Sequence, residues 1–187
     1  MKQRLFLAIP LPDGLTAACL DYGRSEKGRW PGSRWTAADN LHVTVCFFGD
    51  VDDAVRPGLD QALAAVAART EPFELKPEGA ELAPPGRRQP TMIWGVFAPS
   101  AAFERLTAAI REAAGPFAPN MPPAKAARPH VTLARFREGA FAPPGLSASP
   151  LRSPIGSFVA GGCELFVSRL TPSGPVYTRL QRLPFGG

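Results

Sequence analysis

The sequence predicts an α+β protein built as two pseudo-symmetric lobes of mostly antiparallel sheet with flanking helices, two of whose strands face each other across a central cleft. Three observations carry this. The only two histidines of the chain, His42 and His130, occupy the same frame: His42-Val43-Thr44-Val45 and His130-Val131-Thr132-Leu133. Apolar runs that begin at Arg4 and at Met92 each precede the corresponding histidine by 38 residues. In both halves a helix-like segment lies between run and histidine. The order strand, helix, H-x-T strand is thus written twice, as a diverged duplication about a two-fold pseudo-axis would write it. Residues 1–187 are accordingly read as a single domain of two intertwined lobes.

Each element has its own warrant. Arg4 to Ile9 is short, apolar and rich in strand formers. Its basic, then apolar start superficially resembles a signal peptide. However, Pro10 interrupts it and Pro12-Asp13-Gly14 follows without a cleavage site, so it reads as the first strand. Pro12 to Tyr22 reads as a helix, and His42 onward as a strand. Asp53 to Thr70, alanine-rich and with Pro57 tolerated in its first turns, is the clearest helix. Phe73 to Leu82 reads as one strand, and Ala83 to Pro90 as a loop between the halves. The second half repeats the scheme with a strand at Met92, a helix from Ala101 to Ala114, a proline-rich loop from Ala118 to Arg128, and the His130 strand. Phe141 to Pro154 has no periodicity and is expected at the surface. Cys163 to Arg169 and Val176 to Leu183 read as a strand pair around the turn from Thr171 to Pro175.

Composition narrows the function classes. Apolar residues make up 45% of the chain, enough for a sizeable core. No apolar run approaches the ~20 residues that cross a bilayer, so no membrane association is expected. The formal net charge of +5 favours a polyanionic partner, although charge alone decides little. Three cysteines, Cys19, Cys46 and Cys163, lack any close pairing, which points to a reduced, cytoplasmic setting without structural disulfides.

The two frames carry the chemistry. A strand sends every second side chain to one face, so His42 shares a face with Thr44, and His130 with Thr132. Each frame offers an imidazole beside a hydroxyl. Histidine titrates nearest neutrality, so one can act as acid while the other acts as base. A lone histidine on a strand is more often structural; two in identical frames, as the entire complement, reverse that expectation. By alternation Cys46 and Phe48 also lie on the His42 face, Cys46 as filler and Phe48 as core that could stack a base. Arg34 and Trp35, in a loop before the first frame, could clamp and stack a base, although Trp35 also suits a structural role. Tyr177 could approach the cleft from the closing hairpin. Arg87 and Arg88 read as a solvated loop that adds to a basic rim.

The chain resembles the two-histidine phosphoesterase superfamily, and within it the bacterial RNA 2′,3′-cyclic phosphodiesterase (2′-5′ RNA ligase) family. The likeness is carried by Arg4 to Pro12, by Ala38 to Asp50 around the first frame, by Ile93-Trp94, by Arg128 to Arg135 around the second, and by Gly174-Pro175-Val176-Tyr177. These segments span nearly the whole chain in the expected order. The resemblance implies hydrolysis of RNA 2′,3′-cyclic phosphate ends to 2′-phosphomonoesters, with His42 as donor to the leaving 3′ oxygen and His130 as base. Nothing in the frames themselves distinguishes donor from acceptor. It also implies that Arg135 helps hold the phosphate. Strict alternation would put Arg135 on the wrong face, and it reaches the cleft only if the strand bends or ends near Ala134. The threonine hydroxyls suit the non-bridging oxygens, where charge builds up. Two histidines without a carboxylate cluster make a poor metal set, so neither metal nor other cofactor is expected. The expected partner is an RNA or oligonucleotide with a cyclic phosphate end, bound by a monomer. Two alternatives stay open: a related enzyme acting on a small cyclic phosphate or a 2′-5′ phosphodiester, and a non-catalytic RNA-end binding protein. Run backwards, the same site could join a cyclic phosphate to a 5′-hydroxyl.

Overall fold

The computed structural model describes residues 1–86, 89–123, 126–137, 148, 156–172 and 174–186. The elements run β1 (Lys2–Pro10), α1 (Asp13–Glu26), β2 (Ser33–Trp35), β3 (His42–Asp52), α2 (Arg56–Ala67), β4 (Phe73–Leu75), β5 (Pro77–Ala83), β6 (Met92–Phe97), α3 (Ala101–Ala114), β7 (His130–Phe136), β8 (Phe158–Ala160), β9 (Gly162–Thr171) and β10 (Gly174–Pro184). Short 3₁₀ turns at Lys27–Arg29 and Ala38–Asn40 flank β2. This is an α+β fold, and every strand pairing among the described residues is antiparallel.

One eight-stranded sheet runs β10-β9-β1-β3-β7-β6-β5, with β2 added on β7, while β4 and β8 pair separately. The two H-x-T strands are therefore neighbours in one sheet. They meet at a single registered pair, Val43 with Val131, both fully buried. One face of the sheet carries Leu5, Leu7, Ile9, Val43, Val131 and Leu133 into the main core, against Leu15, Leu59, Leu63, Phe103 and Ile110 of the helices. Burying each such side chain is worth about 1.5–3 kcal/mol, which is why these alternating positions fix the register. The helices cross the junction: α1 packs behind β7, and α3 behind β3. The Ser100 hydroxyl accepts a hydrogen bond from the Phe103 N–H and so caps α3, satisfying one of the donors that a helix start leaves free.

Two expectations are corrected here. Phe73 to Leu82 is two strands in two sheets, because Pro77 has no N–H to continue the first ladder. Arg34 and Trp35 lie on the short strand β2, paired with Arg135 and Ala134 of β7. The expected strand pair near the C-terminus is present and two to three residues longer than its apolar positions suggest. Arg87, Arg88 and the stretch from Phe141 to Pro154, Ala148 excepted, lie outside the described residues. Among the described residues no helix is long and apolar enough to cross a membrane.

Candidate active site

A β-bulge in each H-x-T strand decides which side chains reach the cleft. In β3 the register passes from Ala8↔Thr44 to Leu7↔Cys46, leaving Val45 without a partner on β1. In β7 it passes from Trp94↔Thr132 to Ile93↔Ala134, leaving Leu133 without one on β6. Both extra residues sit three positions after the histidine, and each shifts the alternation by one. The residue five positions after each histidine therefore returns to the cleft face: Phe47 in the first half, Arg135 in the second. This bend is what brings Arg135 to the site. It also corrects two expectations, since Cys46 and Phe48 turn into the core instead of sharing the His42 face. The backbone around the second bulge is held from β2's side. The Thr36 N–H donates to the Leu133 carbonyl at 2.9 Å and the Thr36 hydroxyl to the Thr132 carbonyl at 2.7 Å.

The result is a cleft of about 490 Å³ lined by His42, Thr44, His130 and Thr132, together with Arg34, Arg135, Trp35 and Tyr177. All eight residues singled out from the sequence lie around this one space. Arg34 and Arg135 are direct cross-strand partners, so their guanidinium groups share a face and converge on one wall. Two like charges side by side repel unless an anion lies between them. Trp35 packs mainly as structure, with its ring 6.0 Å from Tyr22 and against Gly23 of α1, where a β-carbon would come within 3.0 Å. Tyr177 contacts the His42 ring edge-on at 5.5 Å. Its hairpin is tied down by the Asn40 side-chain amide, which donates to the Pro175 carbonyl at 3.1 Å.

The histidines are held alike. His130 Nδ1 lies 2.7 Å from the Arg128 carbonyl. A carbonyl can only accept, so Nδ1 carries the proton and Nε2 is left for the cleft. His42 makes the corresponding backbone hydrogen bond to Asn40, again two residues upstream. Burial pushes the His42 pKa down from 6.5 to about 4, against that hydrogen bond and with the help of the positive charges on His130 and Arg135. Burial likewise lowers His130, opposed by the Arg128 hydrogen bond and by Glu81, and aided by Arg128 and Arg135. Both imidazoles are thus neutral in the free protein at neutral pH. Burial raises the Tyr177 hydroxyl, with Arg135 and Arg4 acting against it.

Beneath each imidazole lies a ring that the sequence reading left without a role. Phe6 sits 5.0 Å from His42, tilted by 32°, and Trp94 is stacked on His130 at 3.8 Å and 20°. Each precedes its histidine by 36 residues, so the repeat itself carried the signal. Phe166 and Tyr177 close around Phe6 at 5.2 and 4.8 Å. Among the described residues no group of three or more His, Cys, Asp or Glu is arranged to hold a metal ion.

The profile of the 2′-5′ RNA ligase superfamily matches residues 26–157. The chain belongs to this superfamily. The resemblance read from the two H-x-T frames is thereby borne out. A protein of Thermus thermophilus named RNA 2′,3′-cyclic phosphodiesterase is 31% identical over 192 residues, which cover 99% of this chain and 91% of that one. A Geobacillus stearothermophilus protein of the same name is 30% identical over 166 residues, covering 82% of this chain and 49% of that one. The chain therefore spans about half the length of the Geobacillus relative. Among solved structures, a Thermus thermophilus protein superposes with a TM-score of 0.83 at 26% identity, over 98% of both chains. Escherichia coli LigT in its apo form gives 0.78 at 25% identity, over 100% of this chain and 99% of that one.

Proposed function

We propose that the protein is an enzyme that opens 2′,3′-cyclic phosphates at RNA ends with water, leaving a 2′-phosphomonoester, and that it acts as a monomer. The observation that carries this reading is the pair of imidazoles, each hydrogen-bonded to the backbone two residues upstream, in one cleft with two threonines and two arginines. The naming of relatives as RNA 2′,3′-cyclic phosphodiesterases supports the substrate class.

The displacement at phosphorus is in line. Water approaches from the His130 side, and His130 Nε2 takes its proton as the new O–P bond forms. The P–O3′ bond breaks on the opposite side, where His42 supplies a proton to the departing oxygen. Each proton transfer is worth on the order of 10²- to 10⁴-fold in rate. Thr44 and Thr132 donate to the non-bridging oxygens, and Arg34 and Arg135 offset the charge that gathers there. The low pKa of His42 is a property of the free protein. A phosphate placed between the arginines and the histidines removes part of the repulsion that keeps His42 neutral, so substrate binding and donor protonation are coupled. The scheme uses no metal. Run in reverse, it joins a cyclic phosphate to a 5′-hydroxyl as a 2′-5′ linkage.

The test is to incubate the protein with EDTA and a short RNA ending in a 2′,3′-cyclic phosphate, and to identify the product by phosphorus NMR. Wild type is expected to yield the 2′-phosphate, while His42→Ala and His130→Ala leave the ring intact. A 3′-phosphate product, or near-native turnover in either variant, would overturn the reading.

A further inference from the structure

The two halves of the cleft match at the imidazoles and hydroxyls and differ at the position that each bulge turns inward. One half presents the cation Arg135 and the other the ring of Phe47. Phe47 is 46% exposed, although its neighbour Phe48 is fully buried on the other side of the strand. It is also the most open of the four large rings lining the cleft, since Trp35, Trp94 and Tyr177 are each partly covered. One face of Phe47 rests near Phe6, at 5.7 Å and 40°, which fixes its direction on a rigid strand. Its remaining surface is turned to solvent and the cleft.

We infer that Phe47 is the platform on which the base of the terminal nucleotide stacks, an inference that rests on the proposed ring-opening activity. The chemistry requires such a platform on this side. In an in-line opening, water and the leaving 3′ oxygen lie on opposite sides of phosphorus. The 3′ oxygen stays attached to the ribose, so the nucleoside lies on the side of the proton donor. Phe47 and Tyr177 stand beside His42, whereas the charged wall of Arg34 and Arg135 stands beside His130. Base stacking and proton donation thus fall in the same half, and phosphate charge and water activation in the other. This asymmetry gives a reason, independent of family resemblance, for His42 as donor. Every base has a π-face, so the platform selects for the presence of a base and only weakly for its identity.

The experiment compares a short RNA ending in adenosine 2′,3′-cyclic phosphate with the same RNA whose terminal base is replaced by hydrogen. Wild type, Phe47→Ala and Phe47→Trp are assayed on both. Phe47→Ala is expected to lower kcat/KM on the base-bearing end by about 5- to 150-fold, mainly through KM, and to leave the baseless end unchanged. Phe47→Trp is expected to retain the preference for a base. The baseless end is the control for a damaged fold. Equal losses on both ends, or no loss on either, would overturn the assignment of Phe47 while leaving the activity standing. Failure of wild type to open either end would overturn the proposed function and this inference with it.

Discussion

In the free protein the His42 imidazole is expected to titrate at about 4, well below the 6.5 of an exposed histidine. Burial is the largest cause, and the charges of His130 and Arg135 add to it. The gap between those values corresponds to roughly 3 kcal/mol. Because the native state holds His42 neutral while the unfolded chain protonates it, the unfolded state binds more protons between the two values. Stability is therefore fully present above 6.5 and falls as the pH drops from there to about 4. His130, also lowered, adds a slope of the same sign. The assay is urea unfolding of wild type and His42→Asn from neutral pH down to about 4. Wild type is expected to lose up to roughly 3 kcal/mol more than the variant over this window. With only two histidines in the chain, NMR of the ring protons reads each titration directly, and one variant assigns them. Removing a positive charge with Arg135→Gln should move both titrations upward. An imidazole that titrates at 6.5 or above in the free protein, or equal pH slopes for wild type and His42→Asn, would refute the reasoning.

The same electrostatics shape catalysis. The pH profile of kcat/KM, which reports the free enzyme, is expected to be a bell with its maximum on the acid side of 6.5, because both imidazoles are lowered; a maximum above neutrality would contradict this. Thr44→Ala and Thr132→Ala each remove one donor to the non-bridging oxygens and should lower kcat by up to about 10²-fold, less than loss of either histidine, as measured by steady-state kinetics. Trp94→Leu removes the ring stacked on His130, which favours the imidazolium. The His130 titration should then move further down by NMR and turnover should fall, with KM little changed.

What the sequence disclosed follows from what repeats. The two frames, the 38-residue offsets and the helices between them could be read because both halves keep them. The bulges could not. An extra residue at Val45 or Leu133 looks like any other β-branched or apolar strand residue, and alternation carried past it assigns Phe48 and Cys46 to the wrong face. Phe47 was hidden for the same reason, and Arg135 reaches the cleft only through the bend. The strand β2 is three residues long and contributes no periodicity; its pairing with β7 comes from tertiary structure. Pro77 was a visible sign that Phe73 to Leu82 breaks, because proline cannot donate to the ladder. The rings Phe6 and Trp94 were legible in principle, each 36 residues before its histidine, but pairing them with the imidazoles required the register.

The crossing of the helices has a mechanical consequence. Each histidine strand is buttressed from behind by the helix of the opposite half, α1 against β7 and α3 against β3, around a seam of one valine pair. The span between the two imidazoles is therefore set like the gap of a cross-braced frame, by apolar struts far from solvent, and not by the loops at its rim. A half expressed alone would present the greasy back of its own histidine strand to water. Acid and base thus come as a matched set, tensioned by a core that never touches the substrate.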